Sequence, residues 1–325
     1  MKRTKKHGKI AFITTPKYRE TCPELVDFFI YRYMYGLCSH FAVMTTGRTT
    51  SYLKELLRRP LGAADTSSIE KDTGFPIRSE SDFTRWREVV LRGLRPTMSG
   101  YPGVIHVAYE LVEGRLSALI HLTDWEDKSA KPDSAVLSRE ANVHNVPSAT
   151  DVDTAIAYVQ AWRSILERTG GKGPLFRVRD RATNPPLRGL DRSHSVLAMV
   201  SHDNMKLEIC RFAIENAAHI FRHYNYILAT GNTGGWIQRF MEAAGRSPAD
   251  VARIRLCNSG PKGGDLQIAY AVVKGICQDI IFFQDPSVSH PHDSDIRLFE
   301  QAVLHKDVKV RLATNVESAR FLIGL

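Results

Sequence analysis

The sequence predicts an α/β protein built from two copies of one doubly wound, mainly parallel five-stranded sheet with helices on both faces. Three observations carry this. Short apolar runs alternate with amphipathic segments through residues 194–325, four motifs recur in the same order in the first half, and 325 residues is about twice the length of an average domain.

In the second half, the runs at residues 196–200, 224–229, 254–257, 279–283 and 308–313 are strands by their length and apolar content. Between them, segments starting near Met205, Thr233, Leu266, Asp293 and Asn315 have helical apolar spacing. Regular βα alternation with short connections gives a parallel sheet covered on both faces. In such sheets ligands bind outside the carboxyl ends of the strands, so the loops there are the first candidates for function.

The first half repeats this plan. Lys9-Ile10-Ala11-Phe12-Ile13-Thr14 matches Val196-Leu197-Ala198-Met199-Val200-Ser201, and Met44-Thr45-Thr46-Gly47-Arg48-Thr49 matches Leu228-Ala229-Thr230-Gly231-Asn232-Thr233. Ser99-Gly100 with the apolar stretch from Val107 matches Ser259-Gly260 with the stretch from Ile268, and Ser148-Ala149-Thr150-Asp151-Val152 matches Leu312-Ala313-Thr314-Asn315-Val316. An ordered set of four matches reads as a duplication. Thr46 and Ser99 are 53 positions apart but Thr230 and Ser259 only 29, which places an insertion at about residues 62–95. The expected boundaries are a first domain at 1–164, a basic linker with glycines and prolines at 165–193, and a second domain at 194–325.

Composition narrows the function classes. Hydrophobic residues make up 43% and charged residues 24%, as in an ordinary globular protein with a buried core. The five cysteines, Cys22, Cys38, Cys210, Cys257 and Cys277, form no close pair, which argues against a disulfide framework or thiolate zinc site and for a reducing cytoplasm. No run reaches the roughly 18 apolar residues of a membrane span, and the short run at residues 10–13 after the basic start is a strand rather than a signal sequence. The net charge of +9 favours anionic partners. No nucleic-acid motif accompanies that charge, so phosphate esters are expected rather than nucleic acid.

Four polar loops converge on one sheet edge in the second half. Thr230-Gly231-Asn232-Thr233-Gly234 ends a strand and opens a helix, so its amides and hydroxyls suit a phosphate, although such residues also serve simply as caps. Lys206 adds a positive charge, and Ser259-Gly260 a hydroxyl and close backbone approach. Asp265, closing a Gly-Gly-Asp turn, is a candidate base for a C–H proton next to a carbonyl, or the N-cap of the next helix. His290-Pro291-His292-Asp293-Ser294-Asp295 admits a metal reading, but a neutral His292 oriented by Asp295 needs no metal. His202-Asp203 is a second polar pair on the same edge.

Together with Phe282-Phe283-Gln284-Asp285-Pro286 and Ala313-Thr314-Asn315-Val316, these loops make residues 196–322 resemble methylglyoxal synthase, and the first half a degenerate copy of it. The resemblance implies tandem methylglyoxal synthase-like domains and conversion of dihydroxyacetone phosphate to methylglyoxal and inorganic phosphate without a cofactor or metal. It implies Asp265 as the base, and His292, supported by Asp295 and His202, as the group that polarises the carbonyl and passes protons. Lys206, Thr230, Gly231, Asn232, Thr233, Ser259 and Gly260 would hold the phosphate, with Asp203 and Asp285 orienting. It further implies a homo-oligomer, inhibition by inorganic phosphate, and neither nucleic acid nor membrane as partner. The family pattern has Thr at Asn232 and continues past Leu325 into a tail with a phosphate-contacting arginine, a role open here to an arginine of the first copy or the linker.

The first copy keeps Thr46-Gly47-Arg48-Thr49, Ser99-Gly100 and an Arg19 where Lys206 stands. It has Thr15-Pro16 for His202-Asp203, Val104 or Ile105 for Asp265, and Lys131 near the place of His292, and is therefore expected to be inactive, with a structural role favoured over a phosphate-sensing one. The rival reading of the whole chain is a noncatalytic phosphate- or anion-sensing regulator of the same fold.

Overall fold

In the computed structural model, which describes residues 6–60, 77–124, 131–170, 185–285, 293–303, 305 and 308–324, the chain divides into two compact units, Met1–Arg181 and Ala182–Leu325. The first unit runs β1 (Lys9–Thr14), α1 (Pro16–Thr21), α2 (Pro23–His40), β2 (Ala42–Thr45), α3 (Gly47–Leu56), α4 (Glu80–Gly93), β3 (Leu94–Pro96), α5 (Tyr101–Val112), β4 (Ala118–Leu122), α6 (Lys131–Val143), β5 (Ser148–Ala149) and α7 (Val152–Arg168). The second runs β6 (Val196–Ser201), α8 (Lys206–Glu215), α9 (Ala217–His223), β7 (Tyr226–Ala229), α10 (Gly231–Ala243), α11 (Pro248–Val251), β8 (Ile254–Leu256), α12 (Gly264–Val273), β9 (Asp279–Phe283), α13 (Asp293–Val303), β10 (Arg311–Ala313) and α14 (Val316–Ile323).

Each sheet has five strands, every pair parallel. The order is β3-β2-β1-β4-β5 in the first unit and β10-β9-β6-β7-β8 in the second, the same topology read from opposite edges. In both, the winding reverses beside the first strand, between β1 and β4 and between β6 and β9. That crevice is where ligands enter doubly wound sheets.

Alternation along the strands sorts the core. In the second unit Leu197, Met199, Ile227, Ile281 and Phe283 share one cluster with Ile209 and Phe212 of α8 and Ile237 and Met241 of α10. The intervening Ala198, Val200, Ile280 and Phe282 point to the opposite face, where Phe282 meets Phe299 of α13 edge-on at 5.9 Å. In the first unit Phe12 stacks on Phe29 of α2 at 5.6 Å, and Trp86 of α4 lies in the same cluster.

Several boundaries differ from the sequence reading, three of them for a visible physical reason. Tyr224 caps α9 rather than opening β7, and its hydroxyl donates to buried Asp279 at 2.9 Å. Arg311 holds the same carboxylate through two hydrogen bonds of 2.6 and 2.8 Å, and pairing of β10 begins there rather than at 308. Helix α7, capped by Asp151 on the Thr154 amide, continues to Arg168, beyond residue 164. Of the expected linker, residues 171–184 lie outside the described residues. Arg192 Nε donates to the Lys274 carbonyl at 2.8 Å, which ties residues near 192 to the second unit. The expected insertion falls partly outside the described residues as well. Its described part holds α4, where the second unit has only the single turn of α11.

Candidate functional site

At the carboxyl edge of the second sheet, five chain segments enclose a cleft of about 120 Å³. Val200, Ser201, His202, Asp203 and Lys206 come from the end of β6 and the start of α8. Thr230, Asn232 and Thr233 open α10, Gly260, Pro261 and Asp265 lead into α12, and Phe282 and Ile296 close the remaining wall.

The α10 turn forms because Thr230 is extended (φ −61°, ψ 148°) and the helix starts at the residue after it. Gly231 donates to the Asn258 carbonyl at 2.9 Å, and a Cβ there would come within 3.0 Å of the Cys257 carbonyl oxygen, so the Asn258–Ser259 loop lies flat against the helix start. Hydroxyls line the same point. Thr233 Oγ1 is 3.2 Å from both Ser201 Oγ and Thr230 Oγ1, and Thr230 and Thr233 are both buried. A helix N-terminus furnished with hydroxyls and open amides is suited to an anion. Lys206, paired with the exposed Asp203 carboxylate, brings a cation to the cleft.

Asp265 is placed by glycine geometry. Gly263 is left-handed (φ 85°), and a Cβ on Gly264 would lie 1.9 Å from the Asn258 carbonyl oxygen, a contact no side chain survives. Gln267 Oε1 accepts the Asn258 amide at 2.6 Å and fixes the loop from below. The turn thereby sets Asp265 in the first turn of α12 at 5% exposure, facing the cleft across from the α10 hydroxyls.

His202 lies edge-on to Phe282 at 5.1 Å, and its Nδ1 accepts the Asp285 backbone N–H at 2.9 Å. With Nδ1 an acceptor, the neutral ring carries its proton on Nε2 and is a donor. The Asp285 side chain accepts from Asn204 Nδ2 at 2.8 Å, tying the β9 loop to the β6 loop.

The structure therefore brings His202, Asp203, Lys206, Thr230, Asn232, Thr233, Gly260 and Asp265 to one cleft, with Gly231 and Ser259 beneath it and Asp285 behind His202. His292 lies outside the described residues. Asp295 is in the first turn of α13, with its side chain likewise outside them. Among the described residues no group of three or more His, Cys, Asp or Glu is arranged to hold a metal ion, and no helix is long and apolar enough to cross a membrane. Sequence reasoning left out Asn204, which couples two of the loops, and Phe282 and Ile296, which it assigned to a strand run and to a helical segment. The signal for Phe282 was its place as the penultimate residue of a strand ending at the ligand edge.

No family model matches the chain. Curated relatives do. It is 35% identical over 132 residues to the methylglyoxal synthase of Vibrio cholerae serotype O1, covering 41% of this chain and 79% of that protein. To the methylglyoxal synthase of Borreliella afzelii it is 36% identical over 128 residues, covering 39% of this chain and 90% of that protein. A crystal structure of methylglyoxal synthase from Elizabethkingia anophelis NUHP1 matches with a TM-score of 0.34 at 28% identity, over 42% of this chain and 80% of that one. With more than a third of positions identical across most of the length of those enzymes, the chain belongs to the methylglyoxal synthase family.

Proposed function

We propose that the second unit converts dihydroxyacetone phosphate to methylglyoxal and inorganic phosphate. The observation that carries this reading is a buried carboxylate, Asp265, facing a hydroxyl-lined helix start and Lys206 across one small cleft. The phosphate lies against Thr230, Thr233 and the amides opening α10, with Ser259 and Gly260 alongside. Asp265 takes a proton from C3, and the C–H electron pair becomes the C2–C3 double bond of an enediolate. Charge gathers on the C2 oxygen, where a preorganised N–H donor lowers the barrier. His202, with its proton on Nε2, is such a donor, and His292 is assigned proton transfer between the oxygens. The enediolate then expels phosphate by cleavage of the C1–O bond, and the resulting enol becomes methylglyoxal as C1 takes up a proton and the C2 hydroxyl releases one. Asp203 and Asp285 orient Lys206 and His202, and Asp295 is assigned to orient His292.

The chain is proposed to act as a homo-oligomer in the cytoplasm, inhibited by its product phosphate. Incubation of the purified protein with dihydroxyacetone phosphate tests the reaction: methylglyoxal and phosphate are expected in equal amounts, and Asp265→Asn is expected to abolish both. Near-normal turnover in that variant would remove Asp265 as the base. Absence of turnover in the wild type would instead favour an anion-sensing protein.

A further inference from the structure

The first unit rebuilds the same edge with other side chains. Its Thr15 amide donates to the Leu122 carbonyl at 3.0 Å, as His202 does to Phe283 at 3.0 Å, and its Gly47 amide donates to Met98 at 3.0 Å, as Gly231 does to Asn258. A Cβ on Gly103 would lie 2.0 Å from the Met98 carbonyl oxygen, the counterpart of the Gly264 contact with Asn258. These three anchors equate Thr14 with Ser201, Thr46 and Thr49 with Thr230 and Thr233, Arg48 with Asn232, Arg19 with Lys206 and Val104 with Asp265.

The hydroxyls at this edge are buried. Thr46 Oγ1 is 3.0 Å from Thr49 Oγ1, which accepts the Thr14 amide at 3.2 Å, and Thr14, Thr46 and Thr49 are 3%, 6% and 0% exposed. The Thr14 hydroxyl, beside this turn at the end of β1, is buried and finds no hydrogen-bond partner among the described residues. A native fold seldom leaves such a group unsatisfied, and a ligand, an ion or ordered water normally meets it. Helix α3 has no acidic residue in its first turn, and Arg48 stands there instead. Arg19, half-buried, lies over the Tyr52 ring at 5.0 Å and donates from Nη1 to the Arg48 carbonyl at 3.1 Å. Burial first, and then Arg48, disfavour its charge, and an anion at the turn would offset both.

We propose that the first unit binds a phosphate dianion, free or as a small monoester, through the hydroxyls of Thr14, Thr46 and Thr49, the amides opening α3, and the guanidinium groups of Arg19 and Arg48. It does so without turnover, because an apolar Val104 stands where Asp265 stands in the second unit. The inference rests on the first unit's own residues and is independent of whether the second unit is an enzyme.

Calorimetric titration of the full chain with inorganic phosphate tests it. Two phosphates per chain are expected for the wild type, one for Thr49→Val and one for Thr233→Val. Arg19→Gln, at a half-buried position and therefore tolerant of change, is expected to weaken one of the two sites at least 10-fold. Titration with glycerol 3-phosphate separates the two sources of phosphate: uptake of two equivalents supports a site open to monoesters, and uptake of one, lost in Thr233→Val, alongside two phosphates supports a site for the free ion. A wild-type stoichiometry of one that Thr233→Val abolishes, or two sites unaltered in both Thr49→Val and Arg19→Gln, would overturn the proposal. Turnover of dihydroxyacetone phosphate, measured on the same samples, reports on the second unit separately.

Discussion

Val104 and Asp265 occupy the same point of two matching turns, each directly following a glycine whose Cβ would fall about 2 Å from a carbonyl oxygen: 2.0 Å at Met98 for Gly103 and 1.9 Å at Asn258 for Gly264. The backbone that sets a carboxylate at the edge of a cleft in one unit positions a buried apolar side chain in the other. Gly264→Ala must push the Asn258 loop away from α12, so a loss of about 1–3 kcal/mol is expected. Turnover should fall with it, because Asp265 moves with the turn. Urea unfolding and steady-state assays on one preparation check this, and unaltered stability and rate would show that the loop yields freely.

His202 gives a second prediction. Its Nδ1 lies 2.9 Å from the Asp285 amide and 3.3 Å from the Asp285 carbonyl oxygen, and with the closer contact accepted from the amide Nε2–H is the donor. His202→Ala is expected to lower kcat by about 10²-fold, the usual cost of losing one donor to a developing oxyanion. A change confined to KM would instead make the ring a ground-state binding group.

His121 marks the first unit's response to acid. It stands opposite Ile13 as Phe282 stands opposite Val200, and burial pushes its pKa from 6.5 down to about 4. Between those values the unfolded chain binds a proton that the folded unit refuses. Stability is therefore full above pH 6.5 and falls as the pH drops toward 4, by about 3 kcal/mol in all. His121→Leu should flatten that part of the pH profile in thermal unfolding, and a profile identical to the wild type would exclude His121 as its source.

Asp279 offers a structural test remote from the cleft. It is 3% exposed and holds both the Tyr224 hydroxyl and Arg311. Tyr224→Phe removes one charge-assisted hydrogen bond and should cost about 1.5–3 kcal/mol with turnover intact. A loss of activity without a loss of stability would contradict that separation.

Much of this was legible in the sequence because the same residues set both strand period and loop chemistry. β6, β9 and the start of α13 at Asp293 fall where apolar runs and polar breaks put them. The β10 start was misplaced because residues 308–310 continue the apolar pattern but have no strand to pair with until Arg311 reaches Asp279. The choice between Val104 and Ile105 as the counterpart of Asp265 was open in the sequence, since the turn before Gly103 is one residue shorter than the turn before Gly264. Only the matching close approaches of Gly103 and Gly264 select Val104. The role of Asn204 was hidden because its partner, Asp285, is 81 positions away and is reached only through the sheet.

The valine at position 104 also makes the difference between the two units costly to erase. At 6% exposure it is buried, and a carboxylate in its place would be a charge taken out of water unless a partner met it. A single change at such a point removes a carboxylate more readily than it installs one. On the reading proposed above, the first unit is held to folding and to whatever its threonines and arginines grip, which makes it the half of the chain in which a new ligand preference can arise with the cleft of the second unit untouched.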